Sequence, residues 1–346
     1  MRAWAPVGAV AAPRIQRVEL VCPAGGLPAL KAAVDNGADW VYLGLRDDTN
    51  ARNFPGLNFD GAALAEGLAY AHRHGRKVAM AINTYPQAAN WPRWSAAVDR
   101  AAALGADAII VADAGLLDYA HRAHPRLERH LSVQGSATSY EAINFFHERF
   151  GVKRAVLPRV LSLAQVELVA RRTPVEIEVF GFGGLCVMVE GRCALSAYAC
   201  GEAPNTSGAC SPAHAVRWKE TATGLESRLN GILIDRYAKG EHAAYPTVCK
   251  GRYAANGDTY YAFEEPASLN TLDFIPDFGR AGVRAIKIEG RQRSPAYVAQ
   301  VTRVWREAID AWKAGRFEPR PSWSAALARH AEGSQTTLGA FSRPWK

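Results

Sequence analysis

The sequence predicts an α/β protein, and three observations carry this prediction. Short β-rich runs recur along the chain with helix-like segments between them, which is the pattern of repeated βα units around a parallel sheet. Eight such runs can be counted, as many as a closed (β/α)8 barrel needs. The chain has 346 residues, of which 49% are hydrophobic, so it can bury the large core of such a barrel. We therefore predict a TIM-like (β/α)8 barrel with a long cysteine-bearing insertion after its seventh strand.

The predicted strands are short and rich in β-branched and other apolar residues. In chain order they are Val18–Val21, Trp40–Leu43, Lys77–Ile82, Ala108–Val111, His130–Val133, Arg154–Leu157, Glu176–Phe180 and Arg284–Ile288. Apolar residues at helical spacing predict helices in the segments between and after them. These helices include Leu27–Asn36, Gly61–His74, Trp91–Leu104, Ser162–Arg171 and a final barrel helix, Pro295–Ala314.

The regular rhythm breaks after the seventh predicted strand. Residues 181–282 separate it from the eighth strand, a connection far longer than usual in βα units. We expect residues 18–315 to form one barrel-like domain that includes this insertion, and residues 316–346 to form a C-terminal tail. Residues 1–17 contain three arginines and no acidic residue, and we expect them to be a disordered extension or the result of a misplaced start. Within the insertion, the turn signal Asn256-Gly257-Asp258 predicts a hairpin from Tyr253 to Phe263.

The charge is only mildly basic. The formal net charge is +8, of which Arg2, Arg14 and Arg17 contribute three, so +5 remains on the other 329 residues. Lysines and arginines are spread along the chain, which indicates a solvated surface more than a nucleic-acid interface. An acidic substrate or partner also fits this excess. No run of 18 apolar residues exists, so we expect no membrane span.

Four cysteines, Cys186, Cys193, Cys210 and Cys249, fall within one 64-residue stretch of the insertion. We expect a cytoplasmic protein, in which thiols stay reduced and a group of them more often binds metal than forms disulfides. The spacing lacks the C-x2-C pairs of zinc ribbons and fingers, so an iron-sulfur cluster held by four thiolates from several loops is favoured. Unrelated buried cysteines are the alternative.

The other two cysteines have less certain roles in the sequence. Cys22 ends the first predicted strand, where packing or support of neighbouring groups is favoured over metal ligation. Cys200 lies seven residues after Cys193 and competes as a fourth ligand. The residues alone leave that choice open.

Polar residues at the carboxyl ends of the predicted strands are expected to face the mouth of the barrel, where such folds place their active sites. Among them, arginine or lysine side chains could hold the carboxylates of an acidic ligand, and the guanidinium geometry favours arginine. An internal salt-bridge network is the alternative for Lys287 and Glu289, and structural hydrogen bonding for Asn83 and Gln134. The predicted substrate-binding residues are Arg52, Asn83, Asp113, Gln134, Arg159, Glu178, Lys287, Glu289 and Arg291. No catalytic residue can be named.

Peptidase chemistry finds no support in these patterns. The chain has no G-x-S-x-G nucleophile elbow. None of its histidines lies in H-E-x-x-H or a comparable metal pattern, so surface or helix-end histidines are favoured. The histidines considered are His72, His74, His121, His124 and His130.

Several motifs carry a resemblance to a known family. The segments Glu178-Val-Phe-Gly-Phe-Gly-Gly-Leu-Cys186 and Glu190-Gly-Arg-Cys193-Ala-Leu-Ser196 resemble the signature of the collagenase-like peptidase family U32. Gly184 departs from that signature, which usually has serine or alanine there. Further segments closely resemble the ubiquinone-biosynthesis member of the family, and nearly the whole chain from about Val18 is covered. They are Leu20-Val-Cys-Pro-Ala-Gly25, Asp47-Asp-Thr-Asn-Ala-Arg52, Leu157-Pro-Arg-Val-Leu-Ser162, Ser207-Gly-Ala-Cys-Ser-Pro212 and Ile286-Lys-Ile-Glu-Gly-Arg-Gln-Arg-Ser294.

This resemblance implies oxygen-independent hydroxylation of ubiquinone precursors under anaerobic conditions, not peptide hydrolysis. It implies a 4Fe-4S cluster on Cys186, Cys193, Cys210 and Cys249, with Cys200 outside the ligand set. It further implies a heterodimer with a UbiV-like protein, a UbiT-like lipid-binding accessory protein and prephenate as the oxygen donor.

Two alternatives remain open at this stage. One is an RNA hydroxylase acting on tRNA or rRNA, since other family members modify RNA, although the spread of charge does not favour a nucleic-acid partner. The other is a non-catalytic scaffold in which the cluster only stabilises the insertion. Four thiolates would fill the ligand sites of a conventional cluster, so its role as a catalytic, electron-transferring or structural group is also open.

Overall fold

The computed structural model describes residues 18–186, 188, 190, 193–204, 208–332 and 335–342. The extension predicted for residues 1–17 lies outside the described residues. Across the described part of the chain, no helix has both the length and the apolar character needed to cross a membrane.

A closed ring of eight parallel strands forms the centre of the protein and confirms the predicted TIM-like α/β barrel. Neighbouring strands in the chain are neighbours in the ring, and the eighth strand closes it by pairing in parallel with both the first and the seventh. The strands are buried on both faces, which explains their nearly continuous apolar sequences. In order they are Glu19–Pro23, Trp40–Gly44, Lys77–Ile82, Ala108–Val111, Glu128–Leu131, Arg154–Val156, Glu176–Gly184 and Ala285–Ile288.

Helices surround this ring, and several begin with a side chain that accepts a backbone N–H hydrogen bond, the usual N-cap arrangement. The caps of this kind are Asp60, Asp113, Ser139, Ser162 and Ser294. The barrel helices are Leu27–Asp35, Gly61–Arg73, Trp91–Ala103, Ala114–Ala123, Tyr140–Phe150, Leu163–Arg172, Ile275–Ala281 and Pro295–Lys313. The last buries its apolar stripe against the first helix and the first strand, so it is the final barrel helix, as predicted.

The insertion between the seventh and eighth strands has structure of its own. Its elements are the helix Ala194–Cys200, a three-stranded antiparallel sheet of Val216–Thr221, Gly224–Leu229 and Ile232–Ala238, and the hairpin Arg252–Ala255 with Asp258–Tyr261. The hairpin confirms the turn signal, because Asn256 and Gly257 both have positive φ angles, 54° and 92°.

One further strand ties the insertion and the tail to the barrel. Ala267–Asn270 pairs antiparallel with the end of the seventh barrel strand, which therefore runs to Gly184, beyond its predicted end. The tail forms the helix Pro321–Ala328 and the strand Gln335–Thr337, and this strand pairs in parallel with Ala267–Asn270. Insertion and tail thus lie together at the same side of the barrel.

Candidate functional site

A cavity lies at the carboxyl ends of the barrel strands, with about 70 Å³ of space for the centres of water-sized molecules. A space of this size is large enough for several waters or a small polar ligand. All the predicted mouth residues except Asp113 and Glu178 line it. The lining polar residues are Arg52, Asn83, Ser132, Gln134, Arg159, Glu190, Lys287, Glu289 and Arg291, and the main apolar ones are Tyr42, Ile110, Val133, Val156 and Phe180.

The barrel places these side chains by ending each strand at the same rim. Asn83 directly follows the third strand, and its Oδ1 accepts the Ala51 N–H at 3.1 Å, which fixes the loop that carries Arg52. Gln134 lies in a one-turn 3-10 helix, Val133–Gly135, after the fifth strand. The rim is therefore assembled from separate loops held by local hydrogen bonds.

Glu289 is held between two arginines. Its Oε1 lies 3.3 Å from Arg52 Nη2, and its Oε2 lies 2.7 Å from Arg159 Nη2. Burial raises the pKa of Glu289, but Arg159 and Arg52 outweigh burial and hold it below its ordinary value. The other arm of Arg159 lies 2.5 Å from Glu190, whose pKa is raised because burial outweighs that arginine.

Lys287 and Glu178 form a second ion pair inside the barrel. Lys287 Nζ donates to Glu178 Oε1 at 2.7 Å and lies 3.9 Å from the centre of the Tyr42 ring. Arg154 approaches the other oxygen of Glu178 at 3.5 Å. Burial raises the pKa of Glu178, but Lys287 and Arg154 lower it further than burial raises it. Glu178 thus faces the barrel interior and does not line the cavity.

The remaining predicted residues divide into two kinds. Asp113 caps the helix Ala114–Ala123, where its Oδ1 accepts the Leu116 N–H at 2.8 Å, and it does not line the cavity. Arg291 and Gln134 do line it. Arg291 Nη1 donates to Asn50 Oδ1 at 2.5 Å, and Gln134 Oε1 is buried without a hydrogen-bond partner among the described residues.

The four predicted metal ligands lie in segments near this cavity, and pairs of them are close enough to interact electrostatically. Cys186 lies just beyond the seventh strand, Cys193 caps the helix Ala194–Cys200, and Cys249 lies in a one-turn helix, Val248–Lys250. All are free thiols. Cys210 is close enough for electrostatic interaction with Cys186, Cys193 and Cys249.

The chemistry of this donor set fits an iron-sulfur cluster. The donors are four soft thiols from separate segments, and burial raises the pKa of the Cys186 thiol to about 12, a cost that binding to iron would offset. Within the described ranges, no three His, Cys, Asp or Glu side chains converge closely enough to hold a single metal ion.

The two other cysteines lie in different surroundings. Cys200 ends the helix that Cys193 begins, and its Sγ–H points at the Cys210 carbonyl oxygen, 3.5 Å away. Burial raises the pKa of the Cys200 thiol, and the nearby Cys193 raises it further. Cys22 is fully buried in the barrel, where Thr302 Oγ1 donates to its Sγ at 3.2 Å.

Charged contacts join the segments of Cys186, Cys193 and Cys210 to the mouth and the segment of Cys249 to the C-terminal tail. Arg52 Nη1 donates to the Gly208 carbonyl at 3.0 Å, two residues before Cys210. Glu190, between Cys186 and Cys193, pairs with Arg159. Lys250, next to Cys249, pairs with Glu332.

Glu190 was not among the predicted mouth residues, because those were taken from the carboxyl ends of the strands and Glu190 lies in the insertion. The signal was present, since the motif Glu190-Gly-Arg-Cys193 is part of the family signature. Asn50 and Tyr42, which contact Arg291, were also missed. Asn50 could have been found, because it lies in the motif Asp47–Arg52. Tyr42 could not, because the second strand is apolar throughout and its pattern does not show which side chains point into the barrel.

Comparisons with known proteins agree with the resemblance at the level of the family. The chain is 32% identical over 305 residues to an uncharacterized protease of Methanocaldococcus jannaschii, covering 87% of this chain and 67% of that one. It is 31% identical over 319 residues to tRNA hydroxylation protein P of Escherichia coli, covering 86% and 69% of the two chains. It is 29% identical over 295 residues to the 23S rRNA 5-hydroxycytidine C2501 synthase of Escherichia coli, covering 85% and 40%. The model of peptidase family U32 matches residues 25–344, and the chain therefore belongs to that family.

Proposed function

We propose that this protein is the iron-sulfur subunit of an oxygen-independent hydroxylase that acts on the ring of ubiquinone precursors, as UbiU-type members of the family do. The observation that carries the proposal is that two cations of the barrel mouth contact the cysteine-bearing segments, Arg52 at Gly208 near Cys210 and Arg159 at Glu190 between Cys186 and Cys193. Relatives named for tRNA and rRNA hydroxylation support a hydroxylase in general. The five motifs shared with the ubiquinone-biosynthesis member support the quinone precursor as substrate.

A 4Fe-4S cluster on Cys186, Cys193, Cys210 and Cys249 would supply one-electron redox chemistry, which zinc lacks. The protein's own residues have three tasks in this proposal. The cysteine thiolates hold the cluster, Arg52 and Arg159 fix two of the cysteine loops over the mouth, and the mouth cavity holds the oxygen donor, for which prephenate is the leading choice. Carboxylates of such a donor suit the surplus of cations in the lining.

The proposed assembly is a cytoplasmic heterodimer with a UbiV-like protein, served by a UbiT-like lipid-binding protein that presents the quinone precursor. An apolar surface beside the cysteines supports a protein partner. On the helix Ala194–Cys200, Tyr198 is 91% exposed and Leu195 is 38% exposed. Exposed large apolar side chains that share one face of a helix are typical of protein contact sites.

An RNA hydroxylase is the second candidate function. It is favoured by a specific observation, namely that the relatives tRNA hydroxylation protein P and 23S rRNA 5-hydroxycytidine C2501 synthase match 86% and 85% of this chain. The proposed chemistry of the cysteines and the mouth would be the same, and only the ring to be hydroxylated would differ. A scaffold subunit whose cluster is structural is the third possibility.

The first experiment determines the cluster. The protein is purified anaerobically with its UbiV-like partner, and iron, acid-labile sulfide and the visible and electron-paramagnetic-resonance spectra are measured. About four irons and four sulfides per chain are expected for the wild type and for Cys200→Ala, with loss in Cys186→Ala. Zinc, or no metal in the wild type, would refute the hydroxylase mechanism.

The second experiment determines the substrate. A deletion strain grown without oxygen is complemented with the wild type or with Cys186→Ala, and quinone intermediates and RNA nucleosides are measured by mass spectrometry. Loss of ring-hydroxylated quinone intermediates, with RNA hydroxylation intact, is expected for the deletion and for Cys186→Ala. Loss of a hydroxylated nucleoside instead would establish the RNA function, and full complementation by Cys186→Ala would favour the scaffold.

A further inference from the structure

One side of the helix Ala194–Cys200 carries a row of short side chains that helical geometry aligns. Cys193 caps the helix, Ser196 follows three residues later, and Cys200 follows four residues after that, a spacing that repeats on one side of a helix. All three residues are buried, whereas Tyr198 on another side of the same helix is 91% exposed. The row therefore faces the interior of the insertion.

Ser196 contacts two of the predicted cluster ligands at once. Its backbone N–H donates to Cys193 Sγ at 3.4 Å, and its hydroxyl group donates to the Cys210 carbonyl oxygen. Cys200 supports the second contact, since its Sγ–H points at the same carbonyl oxygen from 3.5 Å. A carbonyl oxygen has two lone pairs and can accept both donors, but a thiol is the weaker donor of the two.

The segment that carries Cys210 depends on such contacts for its position. Residues 208–211 belong to no helix or strand, so no ladder of backbone hydrogen bonds holds them. Side chains from other parts of the chain donate to their carbonyl oxygens instead. The pairs are Arg52 with Gly208, Ser196 with Cys210 and Tyr245 with Ser211. Since Ser196 also contacts Cys193, it joins this segment to a second predicted ligand.

The surroundings of the Ser196 hydroxyl group leave little access for water. Ser196 is 2% exposed, and Ala209 and Ser211, on either side of Cys210, are also buried. Cys200 packs in an apolar cluster with Ala199, Ala215, Val216, Leu229 and Ile234. A buried carbonyl oxygen that loses its main donor pays the cost of its desolvation, which the weak Cys200 thiol cannot offset. Loss of the hydroxyl group is therefore expected to displace the Cys210 segment.

We propose that Ser196 is a positioning residue that holds the Cys193 and Cys210 thiols at a fixed separation, with its backbone N–H on the first sulfur and its hydroxyl group on the backbone of the second residue. Cys200 is a weaker second donor in this contact and not a metal ligand. The consequence for a bound cluster rests on the proposed function, because the surroundings of the thiolates affect metal affinity and reduction potential. The separation of the two thiols does not depend on that function.

One test measures this separation in the full chain without a cluster. Dibromobimane becomes strongly fluorescent when both of its reactive groups have bound thiols that lie close together. The background variant is Cys186→Ser/Cys200→Ala/Cys249→Ser. It leaves Cys193 and Cys210 as the thiols to be bridged, since the remaining Cys22 is fully buried.

Adding Ser196→Ala to this background is expected to lower the rate of bridging about fivefold, because the Cys210 carbonyl oxygen loses its hydroxyl donor. Alanine is smaller than serine and a better helix former, so this variant is expected to fold. Ser196→Thr keeps a hydroxyl group and is expected to restore most of the rate. Thermal unfolding shows whether each variant is folded before the rates are compared.

Thr173→Val is the matched control. The Thr173 hydroxyl oxygen accepts the Val175 N–H at 3.2 Å in a buried position, so its loss also removes a buried hydrogen bond. Thr173 precedes the seventh barrel strand and lies at the end of the barrel opposite the mouth. Thr173→Val should lower the thermal stability but leave the rate of bridging unchanged.

A second measurement uses the protein purified anaerobically with its partner. Ser196→Ala in the otherwise unchanged chain is expected to retain less iron and acid-labile sulfide than the wild type, with a changed electron-paramagnetic-resonance spectrum of the remaining cluster. Cys200→Ala and Thr173→Val should both match the wild type, because the Ser196 hydroxyl group remains. Ser196→Thr should recover the iron content and the spectrum together.

An unchanged rate of bridging in a folded Ser196→Ala would overturn this role, and so would an equal fall in Thr173→Val. The proposed function fails by a different result. If bridging responds as expected while the wild type with its partner holds zinc or no metal, Ser196 positions the two thiols and the hydroxylase assignment falls. If the wild type holds a cluster but Ser196→Ala does not affect bridging, the hydroxylase stands without this role for Ser196.

Discussion

Arg159 Nη2 lies 2.7 Å from Glu289 Oε2, and this ion pair joins the loops that follow the sixth and eighth barrel strands. The other arm of the same guanidinium binds Glu190 in the insertion, while its face lies 3.6 Å from the centre of the Phe180 ring. Glu289 in turn binds Arg52, which donates to the Gly208 carbonyl. One carboxylate therefore joins the barrel rim to two of the cysteine-bearing loops.

Glu289→Ala is expected to destabilise the protein by about 3 kcal/mol, because it leaves the buried Arg159 and the partly exposed Arg52 without their shared carboxylate. Glu289→Gln should cost less, since an amide oxygen still accepts a hydrogen bond. Both should lower the amount of iron retained after anaerobic purification, with the larger loss in Glu289→Ala. Chemical denaturation under anaerobic conditions gives the free energy of unfolding.

Glu66→Gln is the matched control for this prediction. Glu66 pairs with Lys31 at 2.9 Å, but their side chains are 55% and 39% exposed, and surface pairs of this kind contribute at most about 1 kcal/mol. Its iron content should equal that of the wild type. If Glu289→Ala and Glu66→Gln behave alike, Glu289 does not hold the cysteine loops.

Two adjacent glycines at the end of the seventh strand should respond differently to alanine. Gly183 has φ +130°, and a Cβ there would lie 2.6 Å from Glu289 Cβ, so Gly183→Ala is expected to cost at least about 2 kcal/mol. At Gly184 a Cβ would lie 3.3 Å from Glu289 Oε2 and 3.5 Å from Glu332 Oε1, both terminal side-chain atoms, and no backbone atom comes closer. Gly184→Ala should therefore change the unfolding free energy by less than about 1 kcal/mol.

This contrast also explains the departure from the family signature at Gly184, where serine or alanine is usual. The local backbone tolerates a side chain, so glycine here is not required by the fold. A cost in Gly184→Ala as large as that in Gly183→Ala would contradict this explanation. Denaturant titration of the two variants in parallel provides the comparison.

Cys22 should make stability depend on alkaline pH. Burial raises the pKa of its thiol from 9.0 to about 12, with the Thr302 hydrogen bond opposing burial in part. The folded state thus keeps the proton at pH values where the unfolded state loses it. The resulting stabilisation is complete below pH 9 and is lost as pH rises from 9 to about 12, by about 1.4 kcal/mol per pH unit.

Cys22→Ala removes this dependence. The variant is expected to be less stable than the wild type at pH 7, because it leaves a small cavity and takes a partner from Thr302. The difference should narrow steadily above pH 9, since only the wild type has a buried thiol to ionise. If the difference in unfolding free energy between the wild type and Cys22→Ala stays constant up to pH 11, the pKa of the Cys22 thiol is not raised as described.

The sequence predicted the barrel well where apolar runs were uninterrupted. Lys77–Ile82 and Ala108–Val111 have their predicted bounds. The fifth strand was predicted as His130–Val133 but runs from Glu128 to Leu131. The start of this strand was missed because Arg129 is charged and a buried strand is expected to be apolar. Hydrogen bonds satisfy the buried guanidinium, since Nε donates to the Phe150 carbonyl and Nη1 to the Leu127 carbonyl.

The position of the site could be predicted from the sequence, but the ion pairs within it could not. Most mouth residues could be predicted because they follow the carboxyl ends of the strands. The partner of each charged side chain could not, because it depends on distances in the folded structure and not on spacing in the sequence. Glu178 shows this, because its position near the end of a strand suggested the rim, yet Lys287 and Arg154 hold it in the barrel interior. Glu190 is the opposite case, because it lies far from any predicted strand end and yet lines the cavity at the rim.

Asn83 and Asp113 were equal candidates in the sequence, and the structure gives them separable roles. Asp113→Ala is expected to cost about 0.5–2 kcal/mol through loss of the cap on Ala114–Ala123, with unchanged binding of prephenate, the ligand proposed for the cavity. Asn83→Ala leaves the buried Ala51 N–H without its acceptor, which should cost about 1–3 kcal/mol and loosen the loop that carries Arg52. Prephenate binding, measured by calorimetry, should weaken in Asn83→Ala alone. Equal weakening in both variants would mean that the helix Ala114–Ala123 also shapes the cavity.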